Sequence, residues 1–205
     1  MKKNKISKNW IREQNRDHYV QKSRSFGYRS RSAFKLLELN QKFNFIKKKT
    51  KLIDLGSSPG GWSQVASEII TSGKILSIDI KDMEKINRVD FLKGDFLDDN
   101  LKRLIIQKFD DKADVIISDM AANTTGNKSL DCIRTNTICT EVIQFSTQIL
   151  KNNGIIVSKI FMGEEFNEVK NIANRNFKKI AFFKPNASKD SSKETYLHCE
   201  GLKTL

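Results

Sequence analysis

From Lys51 onward the chain alternates apolar runs of strand length with segments of helix length, and this alternation limits the possible folds more than any other feature. Apolar runs predict strands at Leu52–Leu55, Ile75–Ile80, Val89–Leu92, Asp114–Ser118, Ile155–Phe161, Ile180–Phe183 and Thr195–Cys199. Helical stretches fall between them at Trp62–Thr71, Asn100–Phe109, Leu130–Leu150 and Glu164–Asn176. Strands separated by helices form βαβ units, which require a mostly parallel sheet covered on both faces. The link Lys184–Glu194 between the last two strands lacks a convincing helix and permits an antiparallel hairpin. The expectation is therefore an α/β fold built on a seven-stranded, mostly parallel sheet with an antiparallel last strand. A further helix over Arg31–Phe43 packs on this body.

Charge divides the chain unevenly. Residues 1–51 hold 16 Lys and Arg against three acids, leaving 21 bases and 21 acids in the other 154 residues. A codon bias toward lysine would spread the bases evenly, whereas here a basic head precedes a neutral body. Residues 1–27 read as a basic arm and 28–205 as one domain. The head mixes Lys and Arg with Trp10, Tyr19, Phe26 and Tyr28 instead of showing a lipid-seeking amphipathic stripe. That composition points to nucleic acid and away from a membrane.

No apolar run reaches the ~18 residues of a membrane span, and the first 35 residues lack the apolar block of a secretory signal. Cys132, Cys139 and Cys199 are odd in number, lack Cys-x-x-Cys spacing and have only His18 and His198 as potential co-ligands. They read as buried free thiols of a cytoplasmic protein that uses no metal.

In an open α/β sheet, ligands bind beyond the carboxyl ends of the strands. The first strand ends in Asp54-Leu55-Gly56-Ser57-Ser58-Pro59-Gly60-Gly61-Trp62, a glycine-rich turn that opens a helix. It lets backbone approach a ligand closely but lacks both the dinucleotide fingerprint and the Gly-Lys-Ser/Thr of a triphosphate loop. Asp79 ends the second strand, where a carboxylate suits the two hydroxyls of a ribose. Gly94-Asp95-Phe96 follows the third, an acid for an adenine amino group beside an aromatic face. Together these strand ends describe a nucleoside pocket without a phosphate site. Lys159 interrupts the apolar run Ile155–Phe161, and Asp119 closes the fourth strand. A lysine in a strand buried on both faces needs a partner, so the two read either as a satisfied ion pair or as a desolvated catalytic lysine with its acid.

The chain resembles the FtsJ family of ribose 2′-O-methyltransferases from about Tyr28 to Lys203. The likeness rests on Tyr28-Arg29-Ser30-Arg31-Ser32-Ala33-Phe34-Lys35-Leu36, Asp54-Leu55-Gly56 with Pro59-Gly60-Gly61-Trp62, Gly94-Asp95-Phe96, Ser118-Asp119-Met120-Ala121 and Ser192-Lys193-Glu194-Thr195-Tyr196-Leu197. The resemblance implies a Rossmann-like class I methyltransferase fold and S-adenosyl-L-methionine as cofactor. It also implies a Lys-Asp-Lys-Glu catalytic tetrad at Lys35, Asp119, Lys159 and Glu194, with cofactor contacts at Gly60, Trp62, Asp79, Asp95 and Asp119. The implied acceptor is a uridine ribose of 23S ribosomal RNA, within the large ribosomal subunit, methylated by a monomer. A transfer RNA or other RNA acceptor, or a noncatalytic assembly factor, is the alternative. Two positions depart from the family pattern, Ala122 for the proline after Asp-Met-Ala and Ser58 for an alanine before Pro-Gly-Gly; neither removes a functional group.

Overall fold

A computed structural model describes residues 17–163 and 165–203. Its strands are β1 (Lys51–Leu55), β2 (Lys74–Asp79), β3 (Asp90–Lys93), β4 (Ala113–Ser118), β5 (Leu150–Phe161), β6 (Phe177–Phe183) and β7 (Glu194–Leu202). They form one sheet in the order β3-β2-β1-β4-β5-β7-β6. Strands β1 to β5 pair in parallel, and β7 runs antiparallel to both β5 and β6. The mixed sheet expected from the short Lys184–Glu194 link is thus present, with β7 as its reversed strand.

The helices are α1 (His18–Ser25), α2 (Ser32–Phe43), α3 (Gly61–Ile69), α4 (Asp99–Phe109), α5 (Lys128–Ile149) and α6 (Phe166–Asn176). Side chains of a strand alternate between faces, and the core divides accordingly. Leu52, Ile75, Val115, Ile117, Val157 and Tyr196 meet α2 and α3 through Ala33, Leu36, Trp62 and Val65. Ile53, Leu55, Leu76, Ile116, Ile156 and Ile160 meet α4, α5 and α6 through Ile105, Val142, Phe145 and Val169. Because both faces are covered, the strands read as unbroken apolar runs. Cys132, Cys139 and Cys199 are all free and buried, and burial pushes the Cys139 thiol up to about 12.

Two differences from the sequence expectation have clear causes. Strand β5 begins at Leu150, five residues early, because Lys151, Asn152 and Asn153 carry no apolar signal although Leu150 already pairs with Ala113. The basic arm, expected over residues 1–27, contains α1. Asp17 caps this helix by accepting from the Tyr19 and Val20 amides, Val20 and Ser23 are buried, and Tyr19 packs 5.6 Å from Phe34 on α2. Residues 18–25 therefore belong to the folded body; residues 1–16 of the arm, and Glu164 at the expected start of α6, lie outside the described residues. Among the described residues no helix is long and apolar enough to cross a membrane.

Candidate active site

The order of strands reverses between β1 and β4, and a cleft of about 260 Å³ opens beyond their carboxyl ends. Its walls come from four successive strand ends: Gly56 and Ser58 after β1, Asp79 and Ile80 at β2, Asp95 and Leu97 after β3, Asp119 and Met120 after β4. The turn after β1 needs its glycines. Gly56 has φ +77°, and a Cβ there would come 2.3 Å from the Met120 side chain; Gly60 has φ +109° and lies under Arg29 and Ile86. The Arg29 guanidinium donates to the carbonyls of Pro59 (3.3 Å), Glu84 (2.7 Å) and Lys85 (2.9 Å), tying the segment before α2 to two loops at the cleft.

Asp79 and Asp95 line the cleft as expected. Each Asp79 oxygen accepts one backbone N–H, from Ser58 at 2.9 Å and Lys81 at 2.8 Å, which leaves lone pairs of both oxygens for a ligand. Asp95 is exposed and accepts from the Leu97 amide at 3.0 Å. Other expected contacts are placed differently. Gly60 and Trp62 are not among the cleft walls. The Trp62 indole is 2% exposed, donates to the Ser32 carbonyl at 2.8 Å and packs 5.6 Å from the Tyr196 ring. What Trp62 retains for a ligand is its backbone amide in the first turn of α3, where helical N–H groups lack intrahelical acceptors. Phe96 does line the cleft, but its ring is mostly buried: it is 3% exposed and meets Phe145 edge-on at 5.4 Å. The open apolar surfaces are Ile80 (58% exposed) and Leu97 (50%), which a search for aromatics overlooks.

Beside this cleft the fold assembles Lys35, Asp119, Lys159 and Glu194. Lys159 shares the face of β5 with Val157, the face that α2 covers, so Lys35 on α2 approaches it from above the sheet. Antiparallel pairing sets Tyr196 directly opposite Lys159, and Glu194, two residues earlier on β7, projects to the same face. Lys159 Nζ lies 2.7 Å from Asp119 Oδ1, donates to the Asp119 carbonyl at 2.9 Å and sits 4.0 Å from Glu194 Oε2. Lys35 Nζ lies 2.6 Å from Glu194 Oε1. All four side chains are between 9% and 18% exposed.

Electrostatics makes the group a balanced quartet. Burial alone would raise Asp119, but the charges of Lys159 and Lys35, with hydrogen bonds from Lys159 and Tyr196, hold it below the usual carboxylate range. Burial likewise opposes ionisation of Glu194, and the charges of Lys35 and Lys159 outweigh it, holding Glu194 low. Two carboxylates thus face two lysines. Tyr196, which the sequence motif contains without signalling a role for it, donates its hydroxyl to Asp119 Oδ1 at 2.5 Å. Burial first, and then the Asp119 and Glu194 charges, push this phenol well above its ordinary value, so it remains a donor. Its position opposite Lys159 across two strands is the signal that would have found it, and pairing register is not written in local sequence. The departure at Ala122 is also accommodated: its amide, absent in proline, donates to Thr135 Oγ1 at 3.2 Å.

Chemically, a cleft with a carboxylate for vicinal hydroxyls and apolar walls for a base fits a nucleoside, and its neighbour is a buried amine flanked by acids. Comparison with known proteins identifies the family. Residues 28–202 match the family described as FtsJ-like methyltransferase. The chain is 47% identical over 203 residues to a ribosomal RNA large subunit methyltransferase E of Pelagibacter ubique, covering 99% of this chain and all of that one. It is 46% identical over 197 residues to the protein of the same name from Rickettsia akari, covering 93% and 87% of the two chains. A crystal structure described as a ribosomal RNA methyltransferase from Plasmodium falciparum superposes with TM-score 0.76 at 31% identity, over 85% of this chain and 98% of that one.

Proposed function

Because the chain belongs to the FtsJ-like methyltransferase family, we propose that it methylates the ribose 2′-hydroxyl of a uridine in the 23S RNA of the large ribosomal subunit, as a cytoplasmic monomer using S-adenosylmethionine. The observation that carries this reading is the junction at Asp119, a residue that lines the nucleoside-sized cleft while its carboxylate contacts Lys159 at 2.7 Å.

The cleft suits the cofactor. Asp79 would accept from the ribose hydroxyls, Asp95 from the adenine amino group, and Ile80 and Leu97 would flank the base. The backbone at Gly60 and Trp62 would meet its amino-acid end. When bound, the cofactor supplies an electrophilic sulfonium methyl group.

The chain's own task is to prepare the acceptor. A ribose hydroxyl is a poor nucleophile until its proton leaves, so an acceptor must lie within hydrogen-bond reach. Lys159 Nζ would take that proton after giving up the one it carries in the resting quartet, while the ribose oxygen would accept the methyl group and become an ether. The resulting ammonium is stabilised where it forms, by Asp119 at 2.7 Å and Glu194 at 4.0 Å. Lys35 holds Glu194 in place, and Tyr196 donates to the same Asp119 oxygen that Lys159 contacts.

Lys159→Ala should retain cofactor and RNA binding yet lose single-turnover transfer by ~100- to 10,000-fold, the range for a missing proton-transfer group. Thermal melting must accompany the assay, since a buried pair is being broken. A folded variant with near-normal transfer contradicts the assignment. Mapping ribose methylation across ribosomal RNA in cells with and without the gene tests the acceptor, and an unchanged large-subunit pattern rejects it.

A further inference from the structure

The helix pair α1/α2 carries an aromatic cluster that methyl transfer does not use. The rings of Tyr19, Phe26 and Tyr28 lie 5.6, 6.2 and 5.6 Å from that of Phe34. Three of the four are committed to the fold. Phe34 is buried, Tyr28 donates its hydroxyl to Glu68 at 3.2 Å, and Tyr19 lies under the Arg31 guanidinium at 5.7 Å. Phe26 differs. It is 65% exposed, more than any other large apolar side chain described.

A single exposed apolar residue is ordinary on a protein surface. The charge around this one is what gives it meaning. Lys22 Nζ sits 5.9 Å from the Phe26 ring and 4.9 Å from that of Phe34, and the last turn of α1 is basic. Between residues 17 and 51 the acids are Asp17 and Glu38, both already engaged. Asp17 pairs with Arg31, and Glu38 accepts the amides of Asn186 and Ala187. The surface therefore offers an aromatic ring and excess positive charge on the helix pair that delivers Lys35. Stacking on aromatic rings beside cations is how proteins hold unpaired bases, since every base has a π face and a neighbouring phosphate.

We propose that Phe26 is a stacking platform for an unpaired nucleobase of the RNA that carries the acceptor ribose, with Lys22 meeting the adjoining phosphate. This rests on the RNA-methyltransferase reading and adds to it a base-binding site outside both the cofactor cleft and the tetrad.

The test uses the full chain and an RNA fragment carrying the acceptor nucleotide. Phe26→Ala and Phe26→Leu should each lower RNA affinity by about 5- to 150-fold, the alanine-scan range for one stacked base. Phe26→Tyr should bind as the wild type does. Cofactor affinity, melting temperature and turnover at saturating RNA should not change. Replacing nucleotides of the fragment one at a time by abasic sites should reveal one position at which the wild type and Phe26→Ala bind equally. Wild-type affinity in Phe26→Ala or Phe26→Leu overturns the platform while leaving the enzyme's function standing. A lowered melting temperature with unchanged RNA affinity also overturns it, by placing the ring against the chain itself. A wild-type protein that binds no RNA overturns this proposal and the functional reading together.

Discussion

Replacing Asp54 by Asn isolates a buried proton. The Asp54 side chain lies in the core on the face of β1 toward α3, completely inaccessible to solvent. Its Oδ2 is 2.6 Å from Ser63 Oγ, which is 2.8 Å from Ser77 Oγ, and its Oδ1 has no hydrogen-bond partner among the described residues. Burial, helped by the Asp119 and Asp79 charges and opposed by Ser63, pushes this carboxyl up to about 7. In an unfolded chain it titrates near ~3.9. Below about pH 4 the group is protonated in both states and makes no difference. Between ~4 and ~7 the folded protein keeps a proton that the unfolded chain has released. Stability then falls as pH rises, by ~1.4 kcal/mol per unit and about 4 kcal/mol in all, and the loss is complete above the folded value. Asp54→Asn abolishes this titration. Any fixed cost of the amide is independent of pH, and the opposite dependence from the low-lying Asp119 and Glu194 occurs in both proteins. Urea melts of the pair from about pH 4 to 8 should therefore show the variant gaining about 4 kcal/mol over the wild type. A stability difference that stays flat over that range refutes the buried proton.

Tyr196→Phe removes the hydroxyl from Asp119 while keeping the ring against Trp62. It should slow single-turnover transfer by about ten-fold or more, the worth of a hydrogen bond to a charged group, with cofactor affinity kept; unchanged transfer would show that Lys159 alone orients Asp119. Asp79→Ala should weaken cofactor binding by ~1 to 3 kcal/mol in calorimetry, and wild-type affinity would reject the ribose contact. Removing residues 1–16 takes away six bases and one acid. RNA affinity should fall and its log-log salt dependence flatten by roughly 0.9 for each phosphate no longer neutralised, with cofactor binding intact. An unchanged salt titration means that this segment does not touch RNA. A cut after residue 24 would confound the experiment by stripping α1 from Phe34.

The strands and the site types were legible because both follow from local rules. Ile75, Leu76 and Ile78 in one short run announce a strand buried on both faces, and glycines in a strand-to-helix turn announce close backbone approach. Lys159 in an apolar run identified itself by its cost, and Asp79 and Asp95 by their places after strands. The burial of the Trp62 and Phe96 rings was not legible, because a large apolar area can serve a ligand or the core and only packing decides between them. Helix α1 was hidden because it is polar over most of its surface and gains its stability by packing Val20 and Tyr19 on α2.

By itself, then, the sequence determined an alternating α/β chain with a basic head, its glycine turn, and the acids and lysines that could bind and react. Only the tertiary structure decided which of them meet. The antiparallel register of β7 sets Tyr196 opposite Lys159 and aims Glu194 at both lysines, and α2 crosses that face to add Lys35. Side-chain direction in a strand alternates with every residue, so a shift of one position in pairing would turn Glu194 and Tyr196 to the other face of the sheet. That register depends on contacts between segments far apart in the chain, and no local pattern of residues encodes it.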